Sequence, residues 1–251
     1  MTMSQDTSLT ERILKLKRER NAVILAHNYQ LWEVQDIADF VGDSLELSQR
    51  AAQTAARVIV FCGVHFMAET AAILCPAMTV LLPDEHAGCP MANMITAEQL
   101  RQKKKELPET TVVCYINSTA EVKAESDICV TSSNAVKVIE NLDNNEILFV
   151  PDQYLADYVT TQADKKINFW PGYCPTHIRI QPWDITTLKK ENPRAIAVVH
   201  PECRPEVIAV ADEVLSTGGM IRCAQREEVR EMIIGTELGI IHRLKKENPG
   251  K

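Results

Sequence analysis

The stretch Ala22-Val23-Ile24-Leu25-Ala26-His27-Asn28-Tyr29 opens on five apolar residues and closes on two polar side chains two positions apart, His27 and Tyr29. An unbroken apolar run of that length, bounded by polar residues, is the pattern of a strand buried on both faces in a parallel sheet. The pattern recurs at Thr111-Val112-Val113-Cys114-Tyr115-Ile116-Asn117-Ser118 and at Ala195-Ile196-Ala197-Val198-Val199-His200-Pro201-Glu202. Here the polar pairs are Tyr115 with Asn117 and His200 with Glu202. A hydroxyl follows the first member of each pair by 17 residues: Ser44, Ser132 and Thr217. Positions 27, 115 and 200 stand 88 and 85 residues apart, so the chain reads as three homologous blocks, 1–107, 108–192 and 193–251.

Helical periods alternate with the strands. In the first block, helices are predicted over 10–20, 32–40, 44–55 with Ser44 as N-cap, 66–74 and 96–107, and strands over 58–61 and 79–82. The second block predicts strands at 128–131, 147–150 and 168–170. Its helices fall near 120–124, from a Ser132 or Ser133 cap through 141, and over 154–161, with another at 185–190. In the third, a helix over 205–211 is followed by a Gly218-Gly219 turn, a strand at 220–223, a helix at 227–233 and a last strand at 239–244. This alternation predicts an α/β fold: three homologous αβα domains with small parallel sheets, arranged with pseudo-threefold symmetry around a central active-site cavity. Ligands in such folds collect beyond the carboxyl ends of the strands, where all the polar pairs lie.

Composition narrows the function. With 45% hydrophobic and 24% charged residues, the 251-residue chain is ordinary globular material. A net charge of −7 argues against a nucleic-acid groove. No stretch reaches the roughly 20 apolar residues that span a bilayer, and the polar start at 1–10 lacks a signal-type core, so a cytoplasmic protein without a membrane partner is expected.

In a reducing compartment the eight cysteines are not a disulfide framework. Cys62, Cys75, Cys114 and Cys129 sit in or beside apolar runs and are expected to be buried, while Cys203 and Cys223 are ambiguous. Cys89 and Cys174 stand apart in Pro/Gly loops, His86-Ala87-Gly88-Cys89-Pro90 and Trp170-Pro171-Gly172-Tyr173-Cys174-Pro175-Thr176-His177. They follow His27 and Tyr115 by 62 and 59 residues, which places a third such cysteine near 259–262, beyond Lys251. Three cysteines are one ligand short of a tetrahedral zinc site or a fully ligated four-iron cluster, and an iron without a thiolate is an open Lewis-acid position. Imidazoles, amides and hydroxyls around it suit carboxylates and phosphates. Glu202, near such anions, is expected to have a raised pKa and to move protons, and Tyr29 and Tyr115 are further candidates.

The segments Ala26-His27-Asn28-Tyr29-Gln30, Gly42-Asp43-Ser44, Ala87-Gly88-Cys89, Tyr115-Ile116-Asn117-Ser118, Thr131-Ser132-Ser133-Asn134-Ala135, the Trp170–His177 loop and His200-Pro201-Glu202-Cys203 resemble those of quinolinate synthase, an enzyme family of NAD biosynthesis. The resemblance implies condensation of iminoaspartate with dihydroxyacetone phosphate, giving quinolinate, phosphate and water. It also implies a [4Fe–4S] cluster held by three cysteines, of which Cys89 and Cys174 match two and the third is expected past Lys251. By the same resemblance His27, Ser44, Tyr115, Asn117, Ser132, His177, His200, Glu202 and Thr217 contact substrate. Glu202, Tyr29, His200 and Tyr115 carry the catalysis, and an aspartate oxidase or dehydrogenase is a transient partner. A competing expectation is a carboxylate- or phosphate-binding form without a complete cluster. A zinc hydrolase is weaker, since no His-Glu-x-x-His spacing occurs.

Overall fold

The computed structural model describes residues 3–251; Met1 and Thr2, the first residues of the polar stretch 1–10, lie outside them. The chain divides into two compact units, Met1–Gly88 and Cys89–Lys251.

The first unit runs α1 (Met3–Glu19), β1 (Ala22–His27), α2 (Trp32–Ile37), β2 (Phe40–Gly42), α3 (Ser44–Gln53), β3 (Val58–Cys62), α4 (His65–Leu74) and β4 (Thr79–Leu81). Its strands form one parallel sheet in the order β2-β1-β3-β4. The second unit opens with α5 (Ala97–Glu106) and continues β5 (Thr111–Tyr115), α6 (Ala120–Ala124), β6 (Ile128–Val130), α7 (Ala135–Glu140), β7 (Glu146–Val150), α8 (Gln153–Thr160) and β8 (Lys166–Phe169). These strands repeat the parallel order, β6-β5-β7-β8. Then come α9 (Pro182–Glu191), β9 (Ile196–Val199), α10 (Pro205–Ile208), β10 (Glu213–Val214), α11 (Thr217–Ala224), β11 (Met232–Gly235) and α12 (Ile240–Glu247), with a three-stranded parallel sheet ordered β10-β9-β11. The fold is thus several small parallel sheets, each with its apolar strand in the interior position.

Each central strand meets its edge strand at the same register. His27 lies opposite Gly42, Tyr115 opposite Val130 and Val199 opposite Val214, always 15 residues on. The 17-residue interval to Ser44, Ser132 and Thr217 is that 15-residue register plus two, which sets each hydroxyl two or three residues past its edge strand. An aspartate locks it. Asp39, Asp127 and Asp212 each accept from the backbone N–H 15 residues earlier, at Ile24, Val112 and Ala197, over 2.7–2.8 Å. Each also donates its own N–H back to that residue's carbonyl. A carboxylate satisfying a strand N–H where the edge strand begins closes the ladder's open end.

Apolar packing does the rest. Leu100 of α5 and Val122 of α6 pack on Val112, Cys114, Leu148 and Val150, with Trp170 beside them. Ile185 of α9 and Val207 of α10 pack on Ala197, Val199 and Ile233. Each buried Leu, Ile or Val among them contributes about 1.5–3 kcal/mol by leaving water. No helix of the described residues is long and apolar enough to cross a membrane.

Several local expectations are corrected. Asp43, not Ser44, caps α3, through a capping box with Glu46; Ser44 is the first helical residue. Neither Ser132 nor Ser133 caps α7: Asn134 holds the cap position and its side chain accepts from Thr131. The Gly218-Gly219 pair is no turn, and 220–223 no strand. Both lie in α11, which Ser216 caps by accepting from the Gly219 N–H. The stretch 227–233 is not a helix but leads into β11, and 239–244 is helical in α12, not a strand. Cys129, expected inside, is exposed.

Candidate active site

The functional side chains of the second unit stand at the carboxyl ends of its strands. Tyr115 ends β5, Ser132 follows β6, Asp152 follows β7, the Cys174 loop follows β8, His200 and Glu202 follow β9, Thr217 follows β10 and Thr236 follows β11. Helix amino termini converge on the same ends, so the strand-end loops can bring polar groups together there.

Glu202 is the hub, only 3% exposed. Its Oε1 accepts from the Tyr115 hydroxyl, and its Oε2 lies 2.9 Å from His177 Nδ1. The same nitrogen is 3.1 Å from Cys174 Sγ, and His177 Nε2 is 2.8 Å from Thr236 Oγ1. The His177 and His200 rings stack with centroids 4.6 Å apart. The backbone N–H of Glu202 donates to His200 Nδ1 over 3.3 Å, which leaves the proton of a neutral ring on Nε2. Ser132 is within hydrogen-bonding reach of Tyr115. Tyr115, Ser132, Cys174, His177, His200 and Glu202 are therefore one connected group. Asn117 and Thr217 lie on the neighbouring strand-end loops, Thr217 buried at the first position of α11.

The electrostatics overturn the expectation of a raised Glu202 pKa. Burial alone would raise it, but the electrostatic influence of the adjacent His177 and His200 rings and hydrogen bonds from His177 and Tyr115 outweigh burial and hold it well below the usual carboxylate range. The direction stands on His177, the ring in direct contact. Tyr115 moves the opposite way: burial, then the charge of Glu202 and the bond to it, keep the phenol protonated far above its ordinary range. The pair is a neutral donor resting on a carboxylate.

The two loop cysteines sit in the same local structure. Cys89-Pro90-Met91-Ala92 and Cys174-Pro175-Thr176-His177 each run from the cysteine into a single 3-10 turn, Met91–Asn93 and His177–Arg179. In each, the backbone N–H groups two and three residues on point at the sulfur. The Ile178 N–H bonds back to the Cys174 carbonyl, and this turn of chain leading into the 3-10 element brings His177, three residues on, against Cys174. Gly172 makes the second loop possible: a Cβ there would lie 2.5 Å from the Pro151 carbonyl oxygen. Gln153 N–H donates to the Gly172 carbonyl, and the Trp170 indole to that of Met94. Burial is the chief reason both thiols are pushed up, and the charge of Glu202 adds to it in each case. Both sulfurs thus lie within electrostatic reach of one carboxylate, and Cys174, His177 and Glu202 offer ligand atoms within 4.8 Å of one another.

This donor set suits a cation. Two half-buried thiols, each aimed at by two N–H groups, favour the thiolate only when a positive centre offsets the partial burial, and soft sulfur selects iron–sulfur, zinc or copper(I). The residues fit a cluster.

Two members of the site were not read from the sequence. Thr236 falls between the helix expected at 227–233 and the strand expected at 239–244, so its place at the end of β11 was hidden. Asp152 caps α8 through Oδ1, which accepts from Tyr154 and Leu155, while its fully buried Oδ2 has no partner. Burial and the charge of Glu202 raise its pKa. The only sequence signal for it is a Pro-Asp step just past an apolar run.

In the first unit, His27 is buried and its ring meets that of Tyr29 edge-on at 4.6 Å. Tyr29 N–H donates to His27 Nδ1 over 3.3 Å, the same i to i+2 bond that joins Glu202 to His200. Ser44 opens α3 and accepts from Ser48 through its carbonyl.

Against known proteins, the family model described as quinolinate synthetase A protein matches residues 11–251. A quinolinate synthase of Dehalococcoides mccartyi strain CBDB1 is 63% identical over 243 residues, covering 97% of this chain and 80% of that protein. One from Methanosarcina barkeri strain Fusaro is 56% identical over 98% of this chain and 81% of its own length, and one from Geobacter metallireducens 55% over 99% and 82%.

Proposed function

Because the chain belongs to the quinolinate synthetase A protein family, we propose that it condenses iminoaspartate with dihydroxyacetone phosphate to give quinolinate, phosphate and water. The observation that carries the reading is the pair of matching Cys-Pro turns around Glu202. Cys89 and Cys174 would hold two irons of a [4Fe–4S] cluster. Bound there, the cluster supplies a Lewis-acid iron for a substrate hydroxyl or carboxylate.

The chain's own groups supply binding and proton movement. Tyr115 stays a phenol and Glu202 a carboxylate at neutral pH. When the phenol oxygen takes a proton from substrate, the phenol's own proton passes to Glu202, and the reverse delivers a proton to a departing hydroxyl. His177, held between Glu202 and Thr236, keeps the buried carboxylate paired and fixes the loop of Cys174. Ser132, Asn117, Thr217 and His200 are donors suited to substrate carboxylate and phosphate oxygens. His27, Tyr29 and Ser44 are assigned the same task by the repeat, with Tyr29 a second proton carrier. Iminoaspartate is an unstable imine and would come from an aspartate oxidase or dehydrogenase in the cytoplasm.

Anaerobic reconstitution with iron and sulfide tests this. A brown protein that forms quinolinate from the two substrates is expected, with Cys89→Ser and Cys174→Ser each bleaching it. A colourless protein with intact cysteines refutes the cluster. Calorimetric binding of dihydroxyacetone phosphate without turnover, unchanged by iron, would replace the enzyme by a cluster-free binding form.

A further inference from the structure

Cys114 and Cys129 are register partners on the adjacent parallel strands β5 and β6. No other two cysteines of the described residues are paired in this way. Neighbouring strands lie about 4.8 Å apart, inside the roughly 4.4–6.8 Å between Cα atoms that a disulfide spans. Register partners present their side chains on the same face, and here the two thiols are within hydrogen-bonding reach of each other. Their surroundings differ. Cys114 is fully buried beneath α6, with the Ser118 and Ser126 hydroxyls near its sulfur, while Cys129 is exposed on an edge strand beside Lys123.

We propose that Cys114 and Cys129 form a modification site apart from the cluster cysteines, a dithiol that a small-molecule disulfide converts to a cross-strand disulfide tying β5 to β6. The exposed Cys129 thiolate attacks one sulfur of R–S–S–R, forming Cys129–S–S–R and releasing R–S⁻. The Cys114 thiol then loses its proton to water and attacks the Cys129 sulfur, expelling the second R–S⁻. The chain's two thiols are oxidised and the small disulfide is reduced to two thiols. The division of labour follows from exposure. The neighbouring Cys114 thiol, against some burial and with Lys123 assisting, lowers the Cys129 pKa to about 7, so a large share is thiolate at neutral pH. Cys114, held protonated by Cys129 and by burial, waits as the resolving thiol. The consequence reaches the active site from behind, because Tyr115 follows Cys114 and Ser132 lies two residues beyond β6.

The test uses the reduced, cluster-loaded chain under anaerobic conditions, with oxidised glutathione as the probe. Alkylation and peptide mass mapping should show Cys114 and Cys129 lost together, joined in one cross-linked peptide with no retained glutathione, and both restored by dithiothreitol. Cys129→Ser, a surface change, should abolish the reaction at Cys114, and Cys114→Ser should stop at a stable glutathione adduct on Cys129. The proposal is overturned by wild-type chain that keeps glutathione on Cys129 without closing. It is equally overturned if both thiols stay alkylatable after Cys89 and Cys174 have reacted. None of these readouts depends on turnover, so the site stands or falls separately from the proposed synthase activity.

Discussion

At the scale of single residues, the site turns on how a fully buried carboxylate is kept charged. An uncompensated charge in such a place costs several kcal/mol, and Glu202 avoids the cost by engaging both oxygens, one with the Tyr115 hydroxyl and one with His177. Tyr115→Phe removes one partner while keeping the ring. It takes away the hydrogen bond at Oε1, so stability should fall by about 1–3 kcal/mol. The proton carrier goes with it, so kcat for quinolinate formation should drop about 10²–10⁴-fold. Thermal melts and steady-state kinetics on the reconstituted chain measure both. A variant with near-normal kcat would remove Tyr115 from the proton path.

At the scale of elements, two devices recur and each makes a prediction. The first is the close approach that lets the Cys174 loop turn over Pro151. Gly172→Ala puts a methyl 2.5 Å from a carbonyl oxygen that is itself backbone, so the loop must move. A loss of about 1–3 kcal/mol in stability is expected, together with iron content reduced toward that of Cys174→Ser; retained iron and an unchanged melting temperature would show that the loop has slack. The second is the aspartate latch. Asp212 accepts from Lys189 and from Ala197 N–H, which hold its pKa below the usual value against slight burial. A depressed folded-state pKa means stability present above the unfolded pKa of about 3.9 and lost as pH falls through the folded value. Melting curves between about pH 6 and pH 2 should therefore show a steeper acid loss for the wild type than for Asp212→Asn. Parallel curves would mean the latch carries no charge-dependent stability.

The elements also show what the sequence could tell. The three apolar runs are β1, β5 and β9 because residues buried on both faces leave an unmistakable run. The 17-residue hydroxyl spacing was legible because the register beneath it is constant. Edge strands β2 and β10 are three and two residues long and too short to leave a pattern. The third block was misread where local signals overrode the repeat. Gly218 and Gly219 look like a turn, yet Gly219 is in the first turn of α11 because a Cβ there would press on Leu215 at 3.0 Å. Ile240, Ile241 and Leu244 look like a strand, yet their spacing with the Arg243–Glu247 pair is that of an amphipathic helix. Carrying the repeat interval from α3, β3 and α4 would have placed α11, β11 and α12 correctly, and would have put Thr236 at a strand end.

At the scale of the molecule, the second unit contains two sheets whose apolar clusters are separate, one around Val112 and Leu148 and one around Ala197 and Ile233. What joins them is polar. Tyr115 comes from the β5 sheet and Cys174 and His177 from the loop after β8, whereas Glu202, His200 and Thr236 come from the ends of β9 and β11. Neither sheet can satisfy its share of these buried groups alone, because each holds the other's hydrogen-bond partner. Cys89–Lys251, expressed as a fragment, should consequently unfold as one cooperative system. Hydrogen exchange in rising urea should expose the amides of β5 and β9 at the same free energy, and Tyr115→Phe should separate them. Two exchange isotherms in the unaltered fragment would mean that the sheets are independent, and that the Tyr115–Glu202–His177 chain positions side chains for chemistry without joining the two halves of the unit.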